Sequence, residues 1–349
     1  MKVLGLMSGT SLDGLDLAIA EFEGLPNEGS PIKWQILAAK TVKYSNEWTK
    51  RLAKSISLSG FDLMQLDSDY GRLLNETCLE FIKETGITPD LISSHGHTVF
   101  HEPQKGFSIQ IGNGNQIAAI TGIKTVFDFR SFDVALGGQG APLVPIGDQY
   151  LFSGYNSCLN LGGIANISFN KNGNRIGFDI CPFNLLLNHF AKHLGFEYDE
   201  SGNLAKQGYV NNNLLIQLDS IEYYNLSYPK SLDKESLLSE YIVLIEKFKV
   251  DPKDVLATLV EHYAIEIAKH LNGKNCLITG GGTYNSFFIE ALKAKSEIKI
   301  HVPSKELIEF KEALIFAFMG YLRVNGVNNV LSSATGAKRD SCSGLIIEA

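Results

Sequence analysis

Short apolar runs that end in glycine-rich turns recur along the chain and predict strands. Residues 1–7 predict a buried strand, and residues 15–22, in which apolar and polar positions alternate, predict a second one. Residues 8–14 lie between them and predict a tight hairpin. Residues 157–170 repeat this arrangement with an apolar strand, a glycine pair and an alternating strand. Two such hairpins, separated by roughly half the chain, are expected of duplicated halves.

Helical periods alternate with these strands. Residues 46–86 predict mostly helix, and residues 184–272 predict largely helix with a polar interruption near 202–213. Shorter helices are predicted from Asn115 and Ser286, and a long one is predicted over 305–324. Further strands are predicted over 90–94, 108–111, 124–127, 275–279 and 299–302. Such alternation predicts an α/β architecture with layered sheets and helices.

The first hairpin has the composition of a phosphate-binding loop. Its glycines let backbone N–H groups approach an anion, and its hydroxyls donate to one. Asp13 would be repelled by a bare phosphate, so it suggests a nucleotide with Mg²⁺. The alternative is a plain glycine hairpin that joins two core strands. A third glycine cluster, residues 280–282, follows a strand and precedes a helix, which favours nucleotide contact.

Two hairpins and a later glycine loop together predict a nucleotide held in a central cleft between two lobes with mixed sheets. This is the plan of the two-lobed actin-like ATPases, the superfamily of actin, Hsp70 and sugar kinases. Residues 128–145 are rich in glycine, lack a clear period and are the predicted crossover between lobes. The predicted domains are residues 1–130 with 325–349, and residues 131–324.

Composition narrows the partners and the compartment. The net charge of −7 and the absence of a basic run argue against nucleic acid or an anionic membrane as partner. Five cysteines without C-x-x-C spacing fit a reducing cytoplasm better than a disulfide framework. No apolar run reaches the length of a membrane span, and Ser8 and Gly9 interrupt any signal-peptide core. A cytoplasmic location is therefore expected.

The motifs, taken in order, resemble those of the anhydro-N-acetylmuramic acid kinases from one end of the chain to the other. They are GLMSGTSLDGLD (5–16), SHGHTVFHEP (94–103), IQIGN (109–113), DFR (128–130), GGQGAPLVP (137–145), NLGGIANIS (160–168) and the glycines at 280–282. The resemblance implies that ATP-dependent opening of a 1,6-anhydro sugar accompanies phosphorylation of its 6-oxygen, in bacterial cell-wall recycling. Levoglucosan kinases share the pattern and act on anhydroglucose.

The resemblance also implies the site residues. It makes Asp179 the catalytic base that activates water, Asp13 and Glu312 the Mg²⁺ carboxylates, and the protein a homodimer. The predicted substrate-binding residues are His95, His97, Thr98, Arg130 and Asn184. The predicted nucleotide-binding residues are Gly9, Thr10, Ser11, Leu12, Asp13, Gly14, Leu15, Asp16, Asn160, Gly162, Gly163, Gly280, Gly281, Gly282 and Asn285.

The chain departs from the family after Asp179. The usual Thr-Gly-Pro-Gly-Asn is replaced by residues 180–184, ICPFN; Asn188 stands where an aspartate is common, and His97 stands where glutamine is usual. Either the pocket is remodelled for another ligand, or the loop reaches the same end by another path. The altered loop leaves open another anhydrosugar, such as levoglucosan, or a non-catalytic ligand sensor. A glycosidase-like hydrolase that uses Asp179 is a third hypothesis, which the glycine loops disfavour.

Several candidate residues have structural alternatives. His95, His97 and His101 have the spacing of a metal cluster, but no cysteines at ligand spacing support one. Arg130 suits an anionic ligand group or a domain-interface ion pair. The others have one alternative each: Glu312 a solvated helix residue, Cys181 a pocket-lining residue in place of a thiol nucleophile, and Asn160 and Asn166 caps of the hairpin.

Overall fold

The computed structural model describes residues 1–9, 12–26, 31–228, 230–232 and 234–349, and of residues 234–238 it describes the backbone alone. Two compact units divide the chain. The first combines Met1–Phe152 with Phe310–Ala349, and the second is Ser153–Glu309. These boundaries differ from the predicted 1–130 with 325–349 and 131–324. The glycine-rich segment taken for the crossover packs within the first unit, where Asp133 accepts hydrogen bonds from Gly140 N and from the Thr335 hydroxyl.

The first unit contains one mixed sheet. Its strands are β1 (Lys2–Ser8), β2 (Leu15–Glu23), β3 (Lys33–Val42), β4 (Leu91–Glu102), β5 (Phe107–Ile111), β6 (Thr125–Phe127) and β12 (Leu345–Ile347). The main order is β12-β6-β4-β1-β2-β3, with β5 paired to β4. Strands β1, β2 and β3 form an antiparallel meander, while β4 and β6 run parallel to β1. Strand β4 is longer than the predicted 90–94, because it continues through the histidines.

The second unit repeats that arrangement. Its strands are β7 (Ser157–Leu161), β8 (Ala165–Lys171), β9 (Asn174–Cys181), β10 (Asn275–Thr279) and β11 (Lys299–His301). Their order is β11-β10-β7-β8-β9, with β7, β8 and β9 antiparallel and β10 and β11 parallel to β7. The order β3-β2-β1-β4-β6 in the first unit is the same pattern. This repeat confirms the predicted α/β class, with a mixed sheet in each half of an actin-like fold.

Helices connect the parallel strands, as parallel pairing requires. In the first unit they are α1 (Asn46–Ala53), α2 (Gly60–Thr85) and α3 (Gly114–Thr121). The first unit also contains α4 (Ser131–Ala135), α5 (Pro145–Tyr150) and α12 (Ser332–Thr335). In the second they are α6 (Phe183–His193), α7 (Asn212–Asp219), α8 (Lys234–Glu246), α9 (Pro252–Ala268) and α10 (Ser286–Lys295). The boundary between units falls within α11 (Lys305–Val324). None of the described helices combines the length and apolar content of a membrane span.

Each sheet is covered by its own apolar core. In the second unit the core includes Leu159 and Leu161 of β7, Phe183 of α6 and Phe288 of α10, all fully buried. In the first unit Leu4 and Leu6 of β1 pack with Tyr70 and Leu74 of α2. The strand ends that carry the glycine loops are therefore anchored by buried side chains a few residues away.

Candidate active site

Asp179 lies near the end of β9, at a bulge. Asp179 pairs with Asn166 of β8 and Cys181 pairs with Ala165, so Ile180 is an extra residue on β9. Bulges re-aim neighbouring side chains. Phe178 and Ile180 are buried on either side of Asp179, which remains half-exposed.

The environment of Asp179 makes it a stronger base than an ordinary carboxylate. Its Oδ2 accepts a hydrogen bond of 3.0 Å from the backbone N–H of Leu232. Burial raises the pKa of the Asp179 carboxyl to about 6, and the Leu232 N–H opposes that rise because it stabilises the charged form. Among the described residues, no donor is hydrogen-bonded to the other carboxyl oxygen, Oδ1. Asp179 can therefore accept a proton from a bound water near neutral pH.

The start of α6 and the loop at Gly280 both pack against the β7–β8 turn. The N–H groups of Asn184 and Leu185 donate to the carbonyls of Gly162 and Gly163, which ties the start of α6 to the β7–β8 turn. Gly280 has φ +86°, and a Cβ there would lie 2.6 Å from Asn160 Oδ1. Glycine is therefore required at Gly280 by close approach as well as by backbone conformation.

A cavity of about 570 Å³ opens beside these loops. Gly281 and Gly282 line it, and a Cβ at Gly281 would meet nothing within 4 Å. Asn184, predicted to bind the sugar, lines this cavity together with residues predicted to bind nucleotide. Its other lining residues are Leu187, Asn188, Tyr198, Asp199, Glu200, Ser201, Tyr284 and Asn285. Asn285 also caps α10, since its Oδ1 accepts from Phe288 N at 3.0 Å.

Sequence reasoning missed one wall of the cavity, residues 198–201. Asp199 fixes this turn by accepting hydrogen bonds from the N–H groups of Leu204 and Ala205. Gly202 has φ +76°, and a Cβ there would lie 2.3 Å from Asn285 Oδ1. The run Asp-Glu-Ser-Gly-Asn is typical of a turn, but its packing against a loop some 80 residues later carries no local signal.

The departure from the family pattern after Asp179 is absorbed by the core. Ile180, Cys181 and Phe183 are each 0% exposed, and none of the three lines the cavity. Phe183 packs edge-on against Phe288, with ring centroids 4.6 Å apart. Burial raises the pKa of the Cys181 thiol, which disfavours a thiolate nucleophile, and Cys181 does not line this cavity. The loop therefore follows another path with its bulk directed inward.

In the first unit Arg130 and His95 are bonded to each other. Arg130 Nε and Nη2 lie 3.1 and 2.9 Å from His95 Nε2, and Arg130 Nη1 donates to the Gly140 carbonyl at 2.5 Å. Burial and the neighbouring guanidinium lower the pKa of His95, so its imidazole is neutral and accepts. Burial also lowers the pKa of Arg130, to about 10, against the opposing charges of Glu312 and Asp133. Arg130 therefore stays charged at neutral pH.

His97 belongs to a second polar group, at the end of β1. Its Nδ1 lies 3.1 Å from Ser8 Oγ, to which the Tyr44 hydroxyl also bonds at 2.8 Å. Burial lowers the pKa of His97 to about 4. His95 and His97 thus face different partners, and His101 bonds Ser108 at 3.0 Å. Thr98, the remaining predicted sugar ligand of β4, accepts from Gln110 Nε2 at 3.4 Å.

The first glycine hairpin is described in part. Thr10 and Ser11, two predicted nucleotide ligands, lie outside the described residues. Leu12 adopts φ 61°, and the predicted metal carboxylate Asp13 is exposed. Gly14 and Leu15 are buried, and a Cβ at Gly14 would lie 2.6 Å from Val42 O.

Glu312 of α11 faces charges of both signs. Burial and the like charge of Asp16 raise its pKa, while Lys311 and Arg130 oppose the rise. Asp16 Oδ1 accepts from the Thr41 hydroxyl at 2.5 Å. The structure thus brings Glu312 into electrostatic contact with Asp16, and the interpretation of Glu312 as a solvated helix residue is wrong. Two carboxylates that are close enough for their charges to interact form a donor set that fits a divalent cation.

Comparison with known proteins gives the family. The family described as anhydro-N-acetylmuramic acid kinase matches residues 1–349. The chain belongs to the anhydro-N-acetylmuramic acid kinase family. The protein of that name from Aliivibrio fischeri is 35% identical over 379 residues, covering 100% of this chain and 99% of that protein. The one from Vibrio cholerae is 35% identical over 368 residues, covering 98% and 97%.

Membership of the anhydro-N-acetylmuramic acid kinase family confirms the resemblance carried by the motifs. Among solved structures, the activator of the 2-hydroxyisocaproyl-CoA dehydratase from Clostridium difficile with bound ADPNP has a TM-score of 0.43. It is 13% identical and covers 93% of this chain and 96% of that chain. The fold assignment rests on the strand order repeated in the two units.

Proposed function

We propose that this protein is an ATP-dependent kinase that opens 1,6-anhydro-N-acetylmuramic acid with water and phosphorylates its 6-oxygen. The observation that carries the proposal is the full-length family match, and the half-buried carboxylate of Asp179 supplies the base. The named relatives support none of the alternatives, namely a levoglucosan kinase, a ligand sensor and a hydrolase.

Asp179 takes the proton of the attacking water. As water adds to the anomeric carbon, the bond from that carbon to the 6-oxygen breaks, and the freed oxygen takes the γ-phosphoryl group of ATP. Sugar, water and ATP thus give the sugar 6-phosphate, ADP and one proton, which Asp179 takes from the water and then releases to solvent. A base whose pKa is about 6 is deprotonated at neutral pH and still accepts a proton readily.

The cavity beside Gly281 and Gly282 is our proposed site for the nucleoside of ATP. Its exposed aromatic side chains, Tyr198 and Tyr284, suit a purine face, and the exposed carboxylate of Glu200 suits ribose hydroxyls. Its volume of about 570 Å³ is within the range of cofactor sites. The remaining predicted nucleotide ligands are assigned to the phosphates. They are residues 9–16, which include Thr10 and Ser11, together with Asn160, Gly162 and Gly163.

Glu312 and Asp16 are our proposed Mg²⁺ carboxylates, with Asp13 as the further one predicted from the sequence. The fit rests on the raised pKa of Glu312 beside Asp16, since a cation would relieve the repulsion between the two. When bound, Mg²⁺ would neutralise phosphate oxygens during transfer. Arg130, held by His95 and Gly140, is assigned to an anionic group of the sugar, and His97, Thr98 and Asn184 stay predicted sugar ligands.

Membership of the family also supports a proposal for the location, the oligomeric state and the biological role of the protein. A cytoplasmic homodimer that serves cell-wall recycling is expected. Light scattering of the purified protein at micromolar concentration tests the dimer, because a monomer of 38.3 kDa would contradict it.

The activity is tested with the purified protein, ATP and Mg²⁺. ADP release is measured with 1,6-anhydro-N-acetylmuramic acid, with levoglucosan and without sugar. We expect release that depends on the anhydromuramic acid. Preference for levoglucosan would overturn the proposed substrate, and the absence of turnover with either sugar in folded protein would overturn the kinase.

A further inference from the structure

One segment of the second unit is hydrogen-bonded to Asp179 at three points. Residues 222–232 follow α7 and contact Asp179 of β9, the edge strand of the sheet. They are named the strap here, and within the strap Pro229 lies outside the described residues. The strap carries three tyrosines and a lysine, Tyr223, Tyr224, Tyr228 and Lys230.

The strap holds Asp179 through three hydrogen bonds. The Tyr223 hydroxyl donates to the Asp179 carbonyl at 2.7 Å, and the Leu232 N–H donates to Asp179 Oδ2 at 3.0 Å. Asp179 N in turn donates to the Lys230 carbonyl at 3.3 Å. Main chain and carboxylate are therefore both fixed by one segment, and the second carboxyl oxygen is left for a ligand.

The strap is braced internally by Lys230. Its ammonium donates to the carbonyls of Tyr223 at 3.0 Å and Tyr224 at 3.4 Å. The same nitrogen lies 4.6 Å from the centroid of the Tyr223 ring. These contacts lock the Tyr223 phenol in the position from which it reaches Asp179.

Beneath the strap, a buried chain of hydrogen bonds anchors Tyr224. The Tyr241 hydroxyl donates to the Tyr224 hydroxyl at 2.6 Å, and that hydroxyl lies 2.9 Å from His262 Nε2. His262 Nδ1 lies 2.6 Å from Asp219 Oδ1. If Tyr241 donates to Tyr224, Tyr224 donates to Nε2 and Nδ1–H donates to Asp219, so every donor points toward one carboxylate.

The spacing of Asp219, His262 and Glu266 is also that of a metal cluster, with ligand atoms within 4.8 Å of one another. Hydrogen bonds already account for both ring nitrogens of His262, and Glu266 accepts from Lys269 at 2.5 Å. The chain of bonds that ends at Asp219 therefore explains the buried imidazole without a metal.

We propose that the strap positions the Asp179 carboxylate, with Tyr223 as the direct positioning residue and Tyr224, anchored through His262 to Asp219, as its support. The inference rests on the proposed function, in which Asp179 is the base. Asp179 lies on the edge strand of the sheet, where the strap is hydrogen-bonded to its main chain and to its carboxylate. General-base catalysis requires this carboxylate to meet the water at hydrogen-bond distance.

The titratable side chains that interact electrostatically with Asp179 carry no charge at neutral pH. Tyr223 and Cys181 interact with it electrostatically, and burial raises the pKa of both, so both are neutral at neutral pH. Burial lowers the pKa of Lys230, against the opposing charge of Glu266. Loss of the Leu232 hydrogen bond would therefore raise the pKa of Asp179, because that bond is what stabilises its charged form.

Three tyrosine-to-phenylalanine variants test the proposal. Tyr223→Phe removes the bond to Asp179, and Tyr224→Phe removes the anchor to His262. Tyr228→Phe is the matched control, because Tyr228 lies on the same strap and its hydroxyl bonds Lys171 at 2.5 Å. We expect Tyr223→Phe and Tyr224→Phe to lower kcat about 10-fold with KM for both substrates unchanged. The acidic limb of their kcat–pH profiles should move to higher pH, and Tyr228→Phe should match the wild type.

A measurement independent of turnover separates this inference from the proposed function. The Asp179 carboxyl is titrated by NMR in protein labelled with ¹³C-aspartate and assigned with Asp179→Asn. A higher Asp179 pKa in Tyr223→Phe than in Tyr228→Phe supports the strap, even if the wild type phosphorylates no anhydrosugar. Equal pKa values and equal kcat in the two folded variants would overturn the strap while leaving the kinase intact. If Tyr224→Phe fails to fold, Tyr223→Phe alone decides.

Discussion

The two units repeat one sheet order but build their sites differently. In the second unit, the glycine loops are fixed by packing: Gly280 and Gly282 lie against Leu161, and the β7–β8 turn is hydrogen-bonded to α6. In the first unit, polar side chains are arranged by charge and hydrogen bonds, with Arg130 between His95 and Glu312. Substitutions in the second unit should therefore act through sterics and stability, except at Asp179. Those in the first unit should act through electrostatics.

The largest effect is expected at Asp179, where a substitution in the second unit acts on chemistry and not on packing. Asp179→Asn keeps an acceptor for Leu232 N–H but cannot take a proton, so kcat should fall by ~10²–10⁴-fold. In the wild type, kcat should rise as pH increases through about 6, because the base acts in its deprotonated form. Steady-state kinetics from about pH 4.5 to about pH 8, a range that brackets this pKa, test both statements. ATP affinity measured by calorimetry should be unchanged, and unimpaired turnover would show that another group is the base.

The next effect is on stability. Phe183→Ala should lower the free energy of unfolding by about 3–5 kcal/mol, because it empties a fully buried site beside Phe288. The ratio of kcat/KM for anhydromuramic acid to that for levoglucosan should not change. Urea unfolding and competition kinetics measure the two quantities. Asn188→Ala, at the cavity wall, is the control that should spare stability. A changed sugar preference in Phe183→Ala would mean that the unusual loop sets specificity.

Two glycine substitutions test whether close packing fixes the glycine loops of the second unit. Gly280→Ala should cost about 1–3 kcal/mol through its positive φ, with a further cost from contact with Asn160 and Leu161. Gly162→Ala should be nearly neutral for folding, because its Cβ would meet atoms no closer than 3.5 Å. Thermal unfolding compares the two. If Gly162→Ala folds normally and binds ATP more weakly, its glycine is needed for the ligand. Equal stability of the two variants would contradict the packing account.

The smallest effect is expected in the first unit. Glu312→Gln removes one proposed Mg²⁺ ligand, so the Mg²⁺ concentration for half-maximal activity should rise about 10-fold while stability changes little. Asp13→Asn and Asp16→Asn show which hairpin carboxylate joins it. Glu306→Gln, an exposed carboxylate in the first turn of α11, is the control. An unchanged Mg²⁺ requirement in Glu312→Gln would argue against its role.

The sequence predicted best the elements whose flanks are sharp. Strand β10 and helix α11 have the bounds expected, because uniform apolar runs end there at glycine or at a change of period. Strand β3 went unpredicted, since it is an edge strand of mixed exposure. The extension of β4 was also missed, because polar histidines there are stabilised by partners distant in sequence, Arg130 and Ser8.

The candidate site also contains parts that the sequence indicated and parts that it did not. Glycine loops and Asp179 carry local motifs, so the sequence could indicate them. The wall at residues 198–201, the contact of Glu312 with Asp16, and the strap depend on contacts between distant residues, for which one sequence holds no signal. The inward packing of Phe183 is of the same kind, because the sequence alone left open whether residues 180–184 remodel the pocket or follow another path.

In the proposed reaction, water opens the anhydro ring while the 6-oxygen takes the phosphoryl group. We would run the wild-type reaction with 1,6-anhydro-N-acetylmuramic acid, ATP and Mg²⁺ in ¹⁸O-labelled water, quench it early and analyse the product by mass spectrometry. The expected product is a sugar 6-phosphate that has gained one water and one phosphoryl group, with the label on the anomeric carbon. Label in inorganic phosphate, with the sugar unchanged, would contradict it.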